Sequence, residues 1–375
     1  MSYFRYYFIF LMILGLFIFI QPNVSADFEQ DFQLNSEVAL LMDQKSGDII
    51  YNQDINQKMY PASITKIVTG IIAIEQGNLD DIVTVSKEAT EVIGTRVYLL
   101  EGEEVSLKKL VQGLLINSGN DAGTAIAEYF DGSEKAFSER MNQFLQDIIG
   151  DNDTNFTNPH GLYDEDHYTT ALDMAKITSY ALQNETFREI VETKELDWIG
   201  EGWETTIHNH HRLLWDYEGT TGVKNGFVQN AGYTLVTSAQ RNDLDLIAVT
   251  LNAPNAKLAY KDTMSLLDYG FDHFETNQVQ GNNKFLGPNG HEFILNQDVY
   301  FTQLLNETVE FQVNPDHKLE IIGTENRMIK EVPLHELKVE PVQTKAELEK
   351  KHEATETEAS GFFLQLWNHI KEWLF

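Results

Sequence analysis

The segment Pro61-Ala62-Ser63-Ile64-Thr65-Lys66 places a serine at the start of a helix, with a lysine three residues on. Side chains at that spacing are neighbours on a helix surface. A serine hydroxyl attacks a carbonyl only when a base takes its proton, and a lysine becomes that base once desolvation or a nearby cation lowers its pKa from about 10.4. The helix that follows carries Ile64, Ile67, Val68, Ile71, Ile72 and Ile74 on nearly every side, so it belongs in a domain centre and supplies the desolvation. Its N-terminus adds backbone N–H groups and partial positive charge where an oxyanion would form. Taken alone the spacing is frequent by chance, and a capping serine followed by a surface lysine is its commoner meaning.

Two further groups follow in order. In Leu114-Leu115-Ile116-Asn117-Ser118-Gly119-Asn120-Asp121-Ala122 a serine and a carboxamide flank a glycine, in a turn between two apolar helical stretches. Ser118 could relay a proton, and Asn120 could donate to a substrate amide or hold Lys66. Later, Gly222-Val223-Lys224-Asn225-Gly226-Phe227 precedes a strand, where a cation, a polar donor and a close-approach glycine could line the edge of a site. Lys224 would also help keep Lys66 neutral through like-charge repulsion. Each group alone has a plain reading as a helix-connecting turn or a strand start.

Together and in this order, the three groups resemble the penicillin-binding-protein and serine β-lactamase family, with its Ser-x-x-Lys, Ser-Asp-Asn and Lys-Thr-Gly motifs. The Ser-Gly-Asn form of the second motif is similar to the D-alanyl-D-alanine carboxypeptidase branch. Gly102-Glu103-Glu104-Val105, Asn158-Pro159-His160-Gly161-Leu162, His167 to Ala175 and Ala231-Gly232-Tyr233 agree with it, so the resemblance covers roughly Val38 to Phe274. It implies an acyl-enzyme on Ser63, formed from the last two D-alanines of a peptidoglycan stem peptide, with Lys66 as base and Ser118 passing the proton to the leaving amine. It further implies an oxyanion hole from the N–H groups of Ser63 and Phe227, substrate contacts from Asn120, Lys224, Asn225 and Gly226, acylation by β-lactam antibiotics, and no cofactor or metal. Asn225 departs from the family's threonine, and Asn252 to Lys261 lacks an arginine that these carboxypeptidases often carry, so the grip on the substrate carboxylate differs here. Rival readings are a β-lactamase using the same serine, separated by steady turnover of penicillin, and a non-catalytic peptidoglycan-binding or sensor protein, separated by the absence of D-alanine release.

Positioning these residues requires a layered domain. Two apolar runs flanking Lys45-Ser46-Gly47 between Val38 and Asp54 read as a hairpin. Leu107 to Tyr129, Ala136 to Ile149 and Thr170 to Leu182 have helical periodicity, and Thr234 to Val236 and Leu244 to Leu251 read as strands. Strands at both ends with helices between them predict an α+β fold, an antiparallel sheet flanked by helices. The expected division is a catalytic domain over 27–275, a small β domain over 276–340, a charged linker over 341–360 and a terminal amphipathic helix over 361–375. That helix has Phe362, Phe363, Leu366, Trp367, Ile370, Trp373 and Leu374 on one face, a pattern that suits a membrane interface.

The chain has 58 Asp+Glu against 27 Lys+Arg, a net charge of −31, which excludes binding to nucleic acid and other polyanions. Arg5, an apolar run from Tyr6 to Ile20 and the small-residue site Val24-Ser25-Ala26 read as a secretory signal over 1–26. The expected location is therefore the outer face of the cytoplasmic membrane. There is no cysteine, so an exported fold of this kind relies on its core alone. His208, His210 and His211 form the remaining cluster; alternation would put His208 and His210 on one strand face, and they read as packing or surface histidines in preference to a zinc site.

Overall fold

Val38-Ala39-Leu40-Leu41-Met42 is apolar at every position, and successive side chains of a strand point to opposite faces, so such a strand must be covered on both sides. The computed structural model describes residues 33–288 and 290–337 and positions 361, 362, 365, 366 and 371. It places this run as β1 (Val38–Asp43) within a five-stranded antiparallel sheet whose other members are β2 (Ile49–Gln53), β3 (Thr220–Val228), β4 (Gly232–Arg241) and β5 (Leu244–Ala253), in the order β2-β1-β5-β4-β3. Val38, Leu40 and Met42 enter the larger core, while Ala39 and Leu41 face Leu266 and Leu267 of the long helix Ala256–His273. The α+β class expected from the sequence is the one adopted.

The larger core is built around α1 (Lys66–Gln76), in which every residue from Lys66 to Ala73 is buried. Ile67, Val68, Ile71 and Ile72 are fully covered, each contributing of the order of 1.5–3 kcal/mol of transfer free energy. Around it pack α2 (Leu107–Leu115), α3 (Asn120–Asp131) and α4 (Glu134–Ile149). The helical periodicity from Leu107 to Tyr129 is thus interrupted at Ile116–Gly119, where Ser118 takes φ 63° and the Gly119 N–H returns to the Gly113 carbonyl. The Lys224 group, expected just before a strand, lies inside β3. Apolar alternation is what marks a strand in sequence, and a polar stretch lining a cleft carries none.

From Phe274 onward short antiparallel strands enclose a separate core of Val279, Phe293, Leu295, Phe301, Leu319 and Ile321. These strands join the catalytic part at the β1–β2 turn. The Asp43 carboxylate accepts from the hydroxyls of Thr276 (2.6 Å) and Thr302 (2.8 Å), and Lys330 donates to the Ser46 carbonyl and to Asp48. The signal expected at 1–26, the linker expected at 341–360 and most of the helix expected at 361–375 fall outside the described residues. Of that last segment, Phe362 and Leu366 are exposed. Among the described residues no helix is long and apolar enough to cross a membrane.

Candidate active site

Ser63 lies half-buried in a 3-10 turn, Ala62–Thr65, that runs into α1. Ala62 before it has φ 53°, a conformation costing a non-glycine residue about 1–2 kcal/mol, so its surroundings must hold it there. Three contacts do. Thr65 Oγ1 donates to the Ala62 carbonyl at 2.8 Å, Thr234 Oγ1 donates to the Pro61 carbonyl at 2.8 Å, and Gly161 packs so close that a Cβ there would stand 1.8 Å from the Ala62 oxygen. Thr65 is itself held by His167, whose Nδ1 accepts the Thr157 N–H and whose Nε2 then donates to Thr65 Oγ1 at 2.8 Å. Burial holds His167 neutral, its pKa pushed down to about 3.

The Lys66 amine is fully buried, and its Nζ reaches three oxygens: His160 O at 2.6 Å, Asn120 Oδ1 at 2.7 Å and Ser63 Oγ at 3.0 Å. Burial first, and the Lys224 charge second, lower its pKa well below the ordinary value, with buried Asp121 opposing. A neutral amine has two N–H donors and one lone pair. The two nearer partners are carbonyl oxygens and can only accept, so the lone pair is left to Ser63 Oγ, which can donate. This is the geometry of a general base beside a nucleophile.

Asn120 begins α3, and its amide has a partner at each end: Oδ1 takes Lys66, while one Nδ2 N–H donates to the Ile93 carbonyl at 2.7 Å. Of the two roles open to it in the sequence, holding Lys66 is the one occupied here. Next to it, Asp121 accepts the N–H groups of Val97 and Leu99, and Asn117 donates to the Arg96 carbonyl, stitching the 93–99 segment to the second motif. Ser118 is buried in the same turn, and its hydroxyl is not among the oxygens around Lys66.

The third group lies on β3, the sheet edge nearest the nucleophile turn, and an edge strand leaves alternate backbone N–H groups without a ladder partner. A Cβ at Gly226 would approach the Ser63 nitrogen to 2.6 Å, so only glycine lets the strand run this close. Lys224 is buried and donates to the carbonyl of Asn225; desolvation pushes its pKa down to about 7. Asn225 is half-buried, and Phe227 is exposed, its ring 4.5 Å from that of Tyr233. The histidine cluster is dispersed, because the strand ends at His208 and leaves His210 off it. His208 pairs with Glu195, and buried His211 meets Thr237. Among the described residues no group of three or more His, Asp or Glu could hold a metal ion.

Two contributors were not identified from the sequence. The His160 carbonyl has no residue-type signature at all. Asp121 sat in plain view beside Asn120, but its task of fixing the 93–99 segment depends on contacts more than twenty residues away in sequence.

The family model described as peptidase S11, D-alanyl-D-alanine carboxypeptidase, matches residues 24–255. The chain is 34% identical over 273 residues to the D-alanyl-D-alanine carboxypeptidase DacF of Bacillus subtilis (strain 168), spanning 69% of this chain and 70% of that one. Penicillin binding protein 5 from Haemophilus influenzae superposes with a TM-score of 0.72 at 28% identity, over 82% of this chain and 97% of that one. The Streptomyces K15 DD-transpeptidase gives 0.61 at 28% identity, over 64% of this chain and 98% of that one. With its Ser63 turn, buried lysine and glycine-edged strand, and with the family model matched over more than half its length, the chain belongs to the D-alanyl-D-alanine carboxypeptidase family and is a serine-type carboxypeptidase.

Proposed function

We propose that Ser63 is the nucleophile and Lys66 its base in removing the terminal D-alanine from peptidoglycan stem pentapeptides. Neutral Lys66 takes the Ser63 proton as Oγ attacks the penultimate carbonyl, and the oxyanion rests on the N–H groups of Ser63 and Phe227. The proton passes through Ser118 to the departing D-alanine amine. Water then hydrolyses the Ser63 ester and releases the shortened peptide. Lys224 holds the substrate's terminal carboxylate, assisted by the Asn225 amide where relatives have a threonine, and Asn120 and Gly226 complete the substrate edge. β-Lactams acylate the same serine. The observation that carries this reading is the Lys66 amine with two carbonyl oxygens at 2.6 and 2.7 Å and Ser63 Oγ at 3.0 Å, because once the amine is neutral that set leaves only its lone pair for the serine.

The remaining parts fit an enzyme at the outer face of the cytoplasmic membrane: a signal over 1–26, a catalytic domain over 27–275, a β domain over 276–340, a linker over 341–360 and an anchoring helix over 361–375. Exposed Phe362 and Leu366 support the last of these. The test is D-alanine release from a stem pentapeptide. The wild-type chain is expected to release it and folded Ser63→Ala to release none; release by Ser63→Ala would exclude Ser63 as nucleophile.

A further inference from the structure

The two carbonyl oxygens that aim Lys66 differ in how they are supported. Asn120 Oδ1 stands at the start of a helix, whereas His160 O belongs to Asn158–Leu162, which has no regular secondary structure. A loop oxygen holds a base to within a few tenths of an ångström only if the loop is itself pinned. Thr69 Oγ1 donates to the Pro159 carbonyl at 2.6 Å and Asn158 Oδ1 accepts the N–H groups of His160 and Gly161, and the His160 ring adds the pin at the residue whose carbonyl meets Lys66. It is 3% exposed, its Nδ1 accepts the Leu162 N–H at 3.2 Å, and its Nε2 therefore carries the proton, 3.1 Å from Glu134 Oε1. The same carboxylate oxygen accepts Thr124 Oγ1 at 2.5 Å. Glu134 is the first residue of α4 and Thr124 lies in α3, so the loop is tied to two helices at one atom.

We propose that Glu134 and His160 are positioning residues for the catalytic base: Glu134 fixes the His160 ring, and with it the His160 carbonyl that turns the Lys66 lone pair toward Ser63. This rests on Lys66 being the base. Burial keeps the His160 imidazole neutral, and the hydrogen bonds from His160 and Thr124 hold the Glu134 carboxyl ionised despite its partial burial. The contact is thus a charge-assisted hydrogen bond, about twice as strong as a neutral one.

A pair that merely stabilised the fold would lower the melting temperature without slowing the chemistry of the protein that remains folded. The test uses the full chain, acylation by a fluorescent penicillin followed in time, and steady-state D-alanine release. Glu134→Ala is expected to slow acylation about tenfold with KM for the pentapeptide unchanged within about twofold, because His160 O touches the base and not the substrate. Glu134→Gln, whose amide oxygen still accepts from both donors, is expected to return to within about threefold of wild type. Should Glu134→Ala not fold, His160→Phe keeps the ring volume, drops both nitrogens and carries the same expectation. Wild-type acylation in the folded variant, a loss confined to KM, or a Gln variant as slow as Ala would each overturn the inference. Lys66→Ala run alongside separates the two levels. If it still acylates, the reading of Lys66 as base is wrong; if it is inactive while Glu134→Ala is normal, only the positioning role is lost.

Discussion

On the proposed roles, Lys66 and Lys224, two buried lysines whose charges oppose each other, set a pH window. Lys66 serves as a base when neutral, so kcat/KM rises as pH climbs through its lowered pKa. Lys224 holds a carboxylate when protonated, so kcat/KM falls as pH climbs through about 7. The expected profile for a D-alanine-terminated peptide is a bell with its alkaline limb near pH 7. Lys224→Arg, charged at every working pH, should move that limb to far higher pH. An unmoved limb in Lys224→Arg would assign it to another group. At this scale the sequence was most informative: Ser63, Lys66, Ser118-Gly119-Asn120 and Lys224-Asn225-Gly226 are marked by residue type and spacing, and the fold gathers Ser63, Lys66, Asn120 and Gly226 within contact of one another. The His160 carbonyl escaped because a backbone oxygen is the same in every residue.

The elements matter through how closely they approach. Gly161 presses the 158–162 loop onto the nucleophile turn with φ 85°, a conformation that suits glycine, and a Cβ there would fall 1.8 Å from the Ala62 oxygen. Gly161→Ala must therefore push the loop, and the His160 carbonyl with it, away from Lys66. We expect stability to drop by about 1–3 kcal/mol from overpacking, and penicillin acylation by the folded fraction to fall about 100-fold, since displacements near 1 Å are that costly. Normal acylation in Gly161→Ala would mean the loop can move without disturbing the base. α1 was legible because an apolar surface all round a helix admits only burial. β3 was misplaced because Lys224, Asn225 and Gly226 lack apolar alternation, their pattern being set by the cleft they line. The break at Ile116–Gly119 falls where the sequence put a turn between two helical stretches, while the positive φ of Ser118 inside it is not encoded by residue type.

For the whole molecule, composition and periodicity delivered the α+β class, since it depends on many residues at once. The pairing order β2-β1-β5-β4-β3 depends on contacts distant in sequence, as does the docking of the last strands onto Asp43 and Asp48, and no local pattern carries either. The proposed anchoring helix over 361–375 is tested on the full chain. Produced with residues 1–26 in place, the full chain is expected in the membrane fraction and a chain ending at Ser360 in the soluble fraction; a truncated chain that stays with membranes would place the anchor elsewhere. The nucleophile itself is best tested on the intact protein by labelling with a fluorescent penicillin, digesting it and identifying the modified peptide. A single adduct is predicted on Ser63, abolished in folded Ser63→Ala, whereas an adduct on any other residue, or labelling that survives the substitution, would contradict the account.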